Sequence, residues 1–373
     1  MSTTTPDRTT AFPLTFALTP ATSARAAAER DEILADPGFG KHFTDHMVTI
    51  DWTVDQGWHD ARVTPYGPLQ LDPASSVLHY GQEIFEGLKA YRHADGSVWT
   101  FRPEKNAERM QRSAQRLALP QLAVTDFVES IKQMIAVDGD WVPSAPETSL
   151  YLRPFMIANE SFLGVRAAHR VGYYVIASPA GAYFADGVAP VKIWLSTDYS
   201  RAGRGGTGAA KCGGNYAASL LPQMQAYENG CAQVLFLDGE TGTRIDELGG
   251  MNVFFVHGTD TLVTPRLTGS ILEGVTRDSI MQLARDRGMT VEEREVTLAE
   301  WREGVASGDI TEVFACGTAA VVTPIGQLKG EGFEVGDPDA TAGAITMALR
   351  QELTDIQYGR LPDRHGWLVR LDR

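Results

Sequence analysis

The sequence predicts an α/β protein of two domains, on three observations. The chain has 373 residues, more than the roughly 250–300 over which a single hydrophobic core keeps growing. Stretches that alternate apolar and polar residues are interleaved with stretches at helical spacing along most of the length. At Ser178-Pro179-Ala180-Gly181, small and turn-forming residues gather between two apolar runs, the composition of a domain boundary. The expected layout is a polar N-terminal arm over 1–35, a small α/β domain over 36–179, a linker over 180–190 and a large α/β domain over 191–373.

Taken in order, the arm ends in an Ala/Arg-rich piece, Ala21 to Arg30, with the composition of a short helix, and order is expected from about Phe39. HMVTIDWTVDQGWHDARVTPYGPLQLDP reads as strands broken at Gly57 and at the Pro65 to Pro68 turn. A helix is expected from Ser76 to about Leu88, then a hairpin turned at Ala94-Asp95-Gly96. The next helix runs from about Pro103, a position that tolerates proline, to Arg116, and Pro120 stops it. Another spans Val124 to about Val137, with Phe127, Ile131, Met134 and Ile135 on one face. SLYLRPFMIAN, RVGYYVIASPAGAYF and VKIWLSTDY read as strands, and a helix follows Lys211 up to Gly230. Short strands then turn at Asp238-Gly239 and Gly258-Thr259-Asp260. Helices are expected at Gly274 to Arg287, Leu298 to Ser307 and about Ala340 to Tyr358, with TEVFACGTAAVVTPI as one apolar strand before the last.

Composition excludes several functions. Hydrophobic residues make up 43% and charged residues 21%, the profile of a globular domain. A net charge of -14 without a Lys/Arg cluster argues against a nucleic-acid partner. No apolar run reaches the length of a membrane span, and MSTTTPDRTT lacks the apolar core of a secretory signal, so the cytoplasm is the expected compartment. Cys212, Cys231 and Cys316 are odd in number and spaced unlike any zinc motif, so neither a disulfide framework nor a metal site is expected.

Three stretches carry candidate chemistry. In GGTGAAKCGGNY, Lys211 sits among small residues that let backbone or a ligand approach closely. Alone, this fits either a glycine-rich turn or a Schiff-base lysine, whose amine must be neutral enough to attack a carbonyl. In DELGGMNVFFVHGTDTLVTPRLTGSILEGVTRDS, Glu247 opens an apolar strand, and Gly274-Val275-Thr276-Arg277 opens a helix. A helix start offers free N–H groups and a positive dipole end, suited to a simple cap or to a phosphate. In Ala315-Cys316-Gly317-Thr318-Ala319-Ala320, an apolar strand is interrupted by Gly-Thr, as a bend or as a ligand contact.

In this order the three stretches closely resemble the class IV aminotransferases, the fold-type-IV pyridoxal phosphate enzymes, and among them the branched-chain amino acid aminotransferases. The resemblance rests on Glu247-x-Gly-x-x-Asn252-Val-Phe, Leu262-x-Thr264, Ile271-x-x-Gly274-Val275-x-Arg277 and Lys211-x-Gly-Gly-Asn-Tyr216. HYGQEIFEGLKA from His79, Phe101-Arg102-Pro103 and Tyr151-Leu-Arg153-Pro154 match the branched-chain subgroup, and coverage runs from about Phe39 to the end. The fold it implies is a two-domain one with the active site at the domain interface. The activity it implies is reversible transamination of L-leucine, L-isoleucine and L-valine with 2-oxoglutarate, giving branched-chain 2-oxo acids and L-glutamate.

The resemblance makes Lys211 the Schiff-base lysine and general acid/base, Glu247 the partner of the pyridine nitrogen and Tyr216 the partner of the cofactor's phenolic oxygen. Arg102, the backbone at Val275 and Thr276, and Thr318 take the phosphate, and Arg201 and Gln233 lie around the cofactor. Phe39, Tyr80, Phe85, Tyr151 and Tyr183 become pocket walls, Arg153 meets the glutamate side-chain carboxylate and Thr318-Ala319 meet the α-carboxylate. Leu163 and Val165 reach a partner subunit's pocket, which implies a homodimer. Lys89 precedes the domain boundary and is not the Schiff-base lysine of the pattern.

Two positions depart from the pattern. Ala320-Val-Val-Thr323 stands where mammalian relatives carry a redox-active Cys-x-x-Cys, and Gly250 replaces a threonine that some relatives use near the substrate carboxylate. The same fold also serves D-amino-acid and amine transaminases and aminodeoxychorismate-type lyases; the FEGLKAY and YLRP segments favour the branched-chain pocket.

Overall fold

The computed structural model describes residues 13–182 and 187–372. The chain divides into two compact units, the first comprising residues up to Arg92, Gly96–Ala180 and the chain from Val369 on, the second His93–Asp95 and Gly181–Leu368.

In the first unit the elements are β1 (Ala17–Leu18), α1 (Ala27–Ala35), β2 (His46–Thr53), β3 (Gly57–Pro65), α2 (Ser76–Tyr80), β4 (Glu83–Phe85), β5 (Leu88–Arg92), β6 (Val98–Phe101), α3 (Pro103–Arg116), α4 (Val124–Asp138), β7 (Ser149–Ala158) and β8 (Arg170–Ala180). Their sheet has the order β1-β3-β2-β8-β7-β5-β6, extended by the final strand Leu368–Arg370, and β4 pairs with β7. In β7 the period of two buries Leu150, Leu152, Pro154 and Met156 and leaves Tyr151, Arg153 and Phe155 half-buried on the other face. The expected face of α4, Phe127, Ile131, Met134 and Ile135, is buried.

The helix expected from Ser76 to Leu88 ends at Tyr80. Gly81 caps it in the left-handed region, with φ 57°, and the chain leaves as β4 and β5. Fully buried Ile84 fits that strand, and Glu86 N–H bonds the Pro154 carbonyl at 2.7 Å. Order also begins before Phe39, because the arm is tied down: Ala21 N–H donates to His46 at 2.9 Å and Arg25 N–H to Asp45 at 3.0 Å.

The second unit contains β9 (Val191–Ser196), α5 (Gly213–Glu228), β10 (Gln233–Leu237), β11 (Ile245–Leu248), β12 (Asn252–His257), β13 (Thr261–Pro265), α6 (Val275–Asp286), β14 (Thr290–Arg294), α7 (Leu298–Ser307), β15 (Ile310–Gly317), β16 (Val321–Gly330), β17 (Phe333–Gly336) and α8 (Ala344–Gln357). The sheet order is β11-β10-β9-β16-β15-β12-β13-β14, with β17 on β16. Its core includes Ile193, Leu235, Val253, Phe255, Val263 and Trp301. Helix α7 begins where Thr297 accepts from Glu300 N–H at 3.0 Å and ends at Gly308, φ 82°.

TEVFACGTAAVVTPI is a hairpin rather than one strand. Gly317 pairs with Val321 across a loop of Thr318, Ala319 and Ala320, and Val321 closes it at φ 60°. A short loop closed by one left-handed residue turns the strand back without splaying it.

Candidate active site

The lysine loop is held from both sides. Asn215, buried in the first turn of α5, accepts from Thr207 Oγ1 at 2.7 Å and donates to the Thr207 and Ala210 carbonyls, each at 2.8 Å. The side-chain amide thus fixes the residues leading into Lys211, whose Nζ donates to the Tyr216 hydroxyl at 2.8 Å. The glycines serve the backbone first. A Cβ on Gly208 would lie 2.2 Å from the Ser270 carbonyl oxygen, so this glycine lets two main-chain segments meet.

Glu247 is 2% exposed on β11. Its Oε1 pairs with Arg201 Nη1 at 2.7 Å and accepts from Leu272 N–H at 2.9 Å, while Oε2 lies 3.4 Å from Asn252 Nδ2. Burial pushes this carboxyl up to about 7, against the pull of the Arg201 guanidinium. Arg201 Nη1 also donates to the Ser270 carbonyl at 3.0 Å and the Gly208 carbonyl at 3.3 Å, tying the lysine loop to the glutamate's neighbourhood. Neighbouring Asp246 points to the other face of β11, accepts from Ser270 Oγ at 3.1 Å and is raised to about 6 by burial. A cavity of about 400 Å³ is lined by Asp246, Arg244 and Ser270 and by neither Lys211 nor Glu247, so concavity alone does not find the chemistry.

The start of α6 is shaped from below. A Cβ on Gly274 would fall 2.1 Å from Asn252 Oδ1, and Gly274, as N-cap, brings no side chain to the first N–H groups of the helix, those of Val275 and Thr276. Asn252 Nδ2 holds the Leu272 carbonyl at 3.0 Å, and Arg277 anchors the first turn to the Pro265 carbonyl and to Glu293, both at 2.9 Å. Thr264 Oγ1 donates to the Val253 carbonyl at 2.8 Å. Within the motif, Asn252, Thr264, Gly274 and Arg277 are therefore scaffold, and Glu247 is the group with chemistry to spare.

These residues fit the pyridoxal phosphate that the resemblance implies. Glu247 Oε2 takes only a 3.4 Å approach from Asn252 and can accept a ring N–H, the glycine-capped start of α6 suits a dianion, and the amine sits beside a phenol. Gln233 opens β10, and Thr318 and Ala319 form the hairpin loop.

In the first unit, Arg102 is 8% exposed at the N-cap of α3 with φ 51°. Pro103 disfavours the right-handed helical region for it, and the left-handed conformation costs about 1–2 kcal/mol. Tyr151 and Arg153 share a face of β7, and Arg153 Nη2 donates to the Tyr151 hydroxyl at 3.0 Å. The guanidinium lies 4.8 Å from the Phe85 ring and 5.2 Å from the Tyr151 ring, and Phe39 meets Tyr151 edge-on at 5.2 Å. Arg153 Nε is buried with no partner among the described residues. Gly87 leaves space for the Tyr151 hydroxyl, because a Cβ there would be 2.1 Å away. Tyr80 donates to the Leu163 carbonyl; Leu163 and Val165 are 59% and 83% exposed. Lys89 lies on β5 opposite Tyr151. Tyr183 falls outside the described residues.

The sequence reading quoted Asn215 and Asn252 within motifs but not their bracing roles, and it missed Arg109, which pairs with Glu86. For Asn215 a faint signal existed, since asparagine is a weak helix former and favours helix ends, where its amide can bond the backbone.

The second unit of this α/β chain thus holds both a lysine amine bonded to a phenol and a buried, arginine-paired carboxylate. The chain belongs to the amino-transferase class IV family, whose model matches residues 83–328. It is 58% identical to the branched-chain-amino-acid aminotransferase of Mycolicibacterium smegmatis, covering 96% of this chain and 99% of the relative. A probable branched-chain-amino-acid aminotransferase of Streptomyces coelicolor is 56% identical over 95% of this chain and 98% of its own. Among solved structures, the branched-chain amino acid aminotransferase of Thermobaculum terrenum in its PLP form superposes with a TM-score of 0.70 at 25% identity, over 88% of this chain and 98% of that one.

Proposed function

We propose that the protein catalyses reversible transfer of the amino group between L-leucine, L-isoleucine or L-valine and 2-oxoglutarate, using pyridoxal 5′-phosphate at Lys211. The observation that carries the reading is the 2.8 Å bond from Lys211 Nζ to the Tyr216 hydroxyl in a unit that also holds the buried Glu247–Arg201 pair. When bound, the cofactor supplies an electron sink for the pair left on the substrate α-carbon. Lys211 takes and returns the proton at that carbon. Glu247 would accept from the ring nitrogen, with Arg201 holding the carboxyl in place and pulling against the burial that raises it. Tyr216 orients the amine and meets the phenolic oxygen. Arg102, the Val275 and Thr276 N–H groups and Thr318 hold the phosphate.

On the substrate side, Phe39, Tyr80, Phe85 and Tyr151 wall an apolar pocket for the branched chain. Arg153, its Nε still without a partner among the described residues, receives the side-chain carboxylate of glutamate. Thr318-Ala319 receive the α-carboxylate. The enzyme acts as a homodimer, with the exposed Leu163 and Val165 reaching the partner's pocket. Among the described residues no helix is long and apolar enough to cross a membrane, and the cytoplasm is the compartment that suits the reading.

Borohydride reduction and peptide mapping test the assignment: a pyridoxyl group is expected on the Lys211 peptide, and its attachment elsewhere refutes it. Lys211→Ala is expected to fold normally and lose roughly 10⁴-fold or more of turnover. Initial rates are expected to favour L-leucine over D-alanine, and the reverse order would move the enzyme to another branch of the fold.

A further inference from the structure

In the second unit, Asp246 is buried, faces a cavity and has no charged partner among the described residues. The cavity, of about 400 Å³, lies between the turn joining β10 to β11, the chain after β13 and the segment that follows Arg201. Four carboxyls and three guanidiniums line it, and three of the four carboxyls are already paired. Arg244 Nη2 meets Asp238 at 2.9 Å and Glu240 at 3.1 Å, and Arg266 Nη2 meets Glu295 at 2.6 Å. Asp246 is the fourth, 4% exposed, and among the described residues it accepts from Ser270 Oγ at 3.1 Å and forms no ion pair. A charge taken out of water without a counter-ion is costly. Burial raises this carboxyl to about 6, and Asp238 adds to the rise, against the pull of Ser270, Arg201 and Arg244.

The rest of the lining says what would complete it. An ionised Asp246 accepts and cannot donate, so the group it calls for is a cation with N–H donors. A divalent metal is poorly served, since no group of three or more metal-binding side chains occurs among the described residues. Ile245, Pro265, Leu267 and Ile271 offer an apolar wall to a short aliphatic stem, and the volume suits a ligand of amino-acid size. Arg204, also in the lining, has its side chain 84% exposed and meets Glu240 only at 3.7 Å, so it can turn to a carboxylate.

We propose that this cavity is a second binding site, which takes the primary ammonium group of a small aliphatic amine or amino acid on Asp246. The site communicates with the chemistry. Ser270 donates its hydroxyl to Asp246 and offers its carbonyl to Arg201 Nη1 at 3.0 Å, and that same nitrogen pairs with Glu247 at 2.7 Å. The negative charge of Asp246 also helps to raise Glu247. A cation on Asp246 cancels that repulsion and eases the ionisation of Glu247, the form that accepts a ring N–H. Only this last consequence rests on the function proposed above. A chain without the cofactor can still be tested for binding, so failure of that function and failure of the site are told apart.

Equilibrium dialysis of isoamylamine against the borohydride-reduced holoenzyme tests the site, because reduction leaves no Schiff base for the probe to exchange with. Saturable binding is expected at about pH 8, weakened roughly 30-fold or more in Asp246→Asn. Wild type is expected to bind weakly at about pH 5, where Asp246 takes a proton of its own. Excess 2-oxoglutarate should leave the binding unchanged. Absence of saturable binding overturns the proposal, as does binding that 2-oxoglutarate displaces or that Asp246→Asn retains at full strength. L-leucine, run beside the amine, separates the two sources: binding tighter than the amine and reduced by Arg204→Ala assigns the amino acid, and binding no tighter assigns the amine. In the unreduced enzyme, the amine is expected to move the acid limb of the rate profile to lower pH in wild type and not in Asp246→Asn. Binding without that movement keeps the site and overturns its link to Glu247.

Discussion

Glu86 in the first unit and Glu247 in the second are both buried against an arginine and an asparagine, yet they are finished differently. Glu86 Oε1 receives Arg109 Nε at 2.8 Å, and its Oε2 receives Arg109 Nη2 at 2.7 Å, Asn106 Nδ2 at 2.8 Å and Gly87 N–H at 3.2 Å, so each oxygen takes a short bond. Glu247 draws its short contacts, from Arg201 and Leu272 N–H, onto Oε1 and leaves Oε2 a 3.4 Å approach from Asn252. Removing a carboxylate from water is costly unless its lone pairs are satisfied. A saturated glutamate is scaffold, and one with an undersupplied oxygen has capacity for a donor arriving with a ligand. Burial and an arginine partner, by themselves, do not separate the two roles.

The largest effect that tests this contrast is on stability. Arg109→Ala strands the Glu86 carboxylate, 0% exposed, without its bidentate partner, and breaking a buried pair in this way costs about 3–5 kcal/mol. Urea unfolding of the variant is expected to show that loss, while turnover per folded molecule stays close to wild type. A loss below about 1 kcal/mol would mean that Glu86 is not the saturated anchor its contacts describe.

Glu247→Gln is expected to do the reverse, lowering kcat roughly 10²–10³-fold with little change in fold. Its pH signature follows from the direction of the shift. The folded carboxyl is raised from 4.5 to about 7, so the folded protein holds a proton that the unfolded chain has released. The Glu247 contribution to the stability of the cofactor-free protein is thus fully present below the unfolded value and is lost as pH rises through about 7, and Asp246, raised to about 6, adds a loss of the same sign at lower pH. Between the unfolded carboxyl range and neutral pH, the unfolding midpoint of Glu247→Gln should lose the fall that Glu247 adds in wild type. Parallel slopes would place the uncompensated carboxylate elsewhere.

Much of this was legible in the sequence, where spacing alone carries the information. The helix starting at Pro103, the buried face of α4 and the hairpin at Asp95-Gly96 follow from turn chemistry and periodicity, and the structure has them. The motif residues Lys211, Tyr216 and Glu247 were also legible as a set, and the structure puts Lys211 and Tyr216 in contact. Two local errors share a cause. The stretch after Tyr80 and the loop at Thr318 both turn on a single left-handed residue, Gly81 and Val321, and nothing in the sequence marks a valine for that conformation. The saturation that distinguishes Glu86 from Glu247 was illegible for a different reason. It depends on partners such as Arg109, 23 positions away, and Arg201, which only the fold brings near.

The smallest effects separate two glycines of the same motif. At Gly274 an added Cβ would overlap Asn252 Oδ1 at 2.1 Å, and the displaced amide would release both the Leu272 carbonyl and its approach to Glu247. Gly274→Ala is therefore expected to cost about 1–3 kcal/mol through overpacking and to weaken cofactor retention on dialysis, because the start of α6 moves with the amide. At Gly250 an added Cβ meets only Tyr216 Cε1, at an ordinary 3.9 Å. Gly250→Ala should stay within about 0.5 kcal/mol of wild type and keep its cofactor. If the two variants proved alike in both measurements, Asn252 would not be the brace joining the carboxylate to the helix start, and Glu247 would owe its undersupplied oxygen to some other constraint.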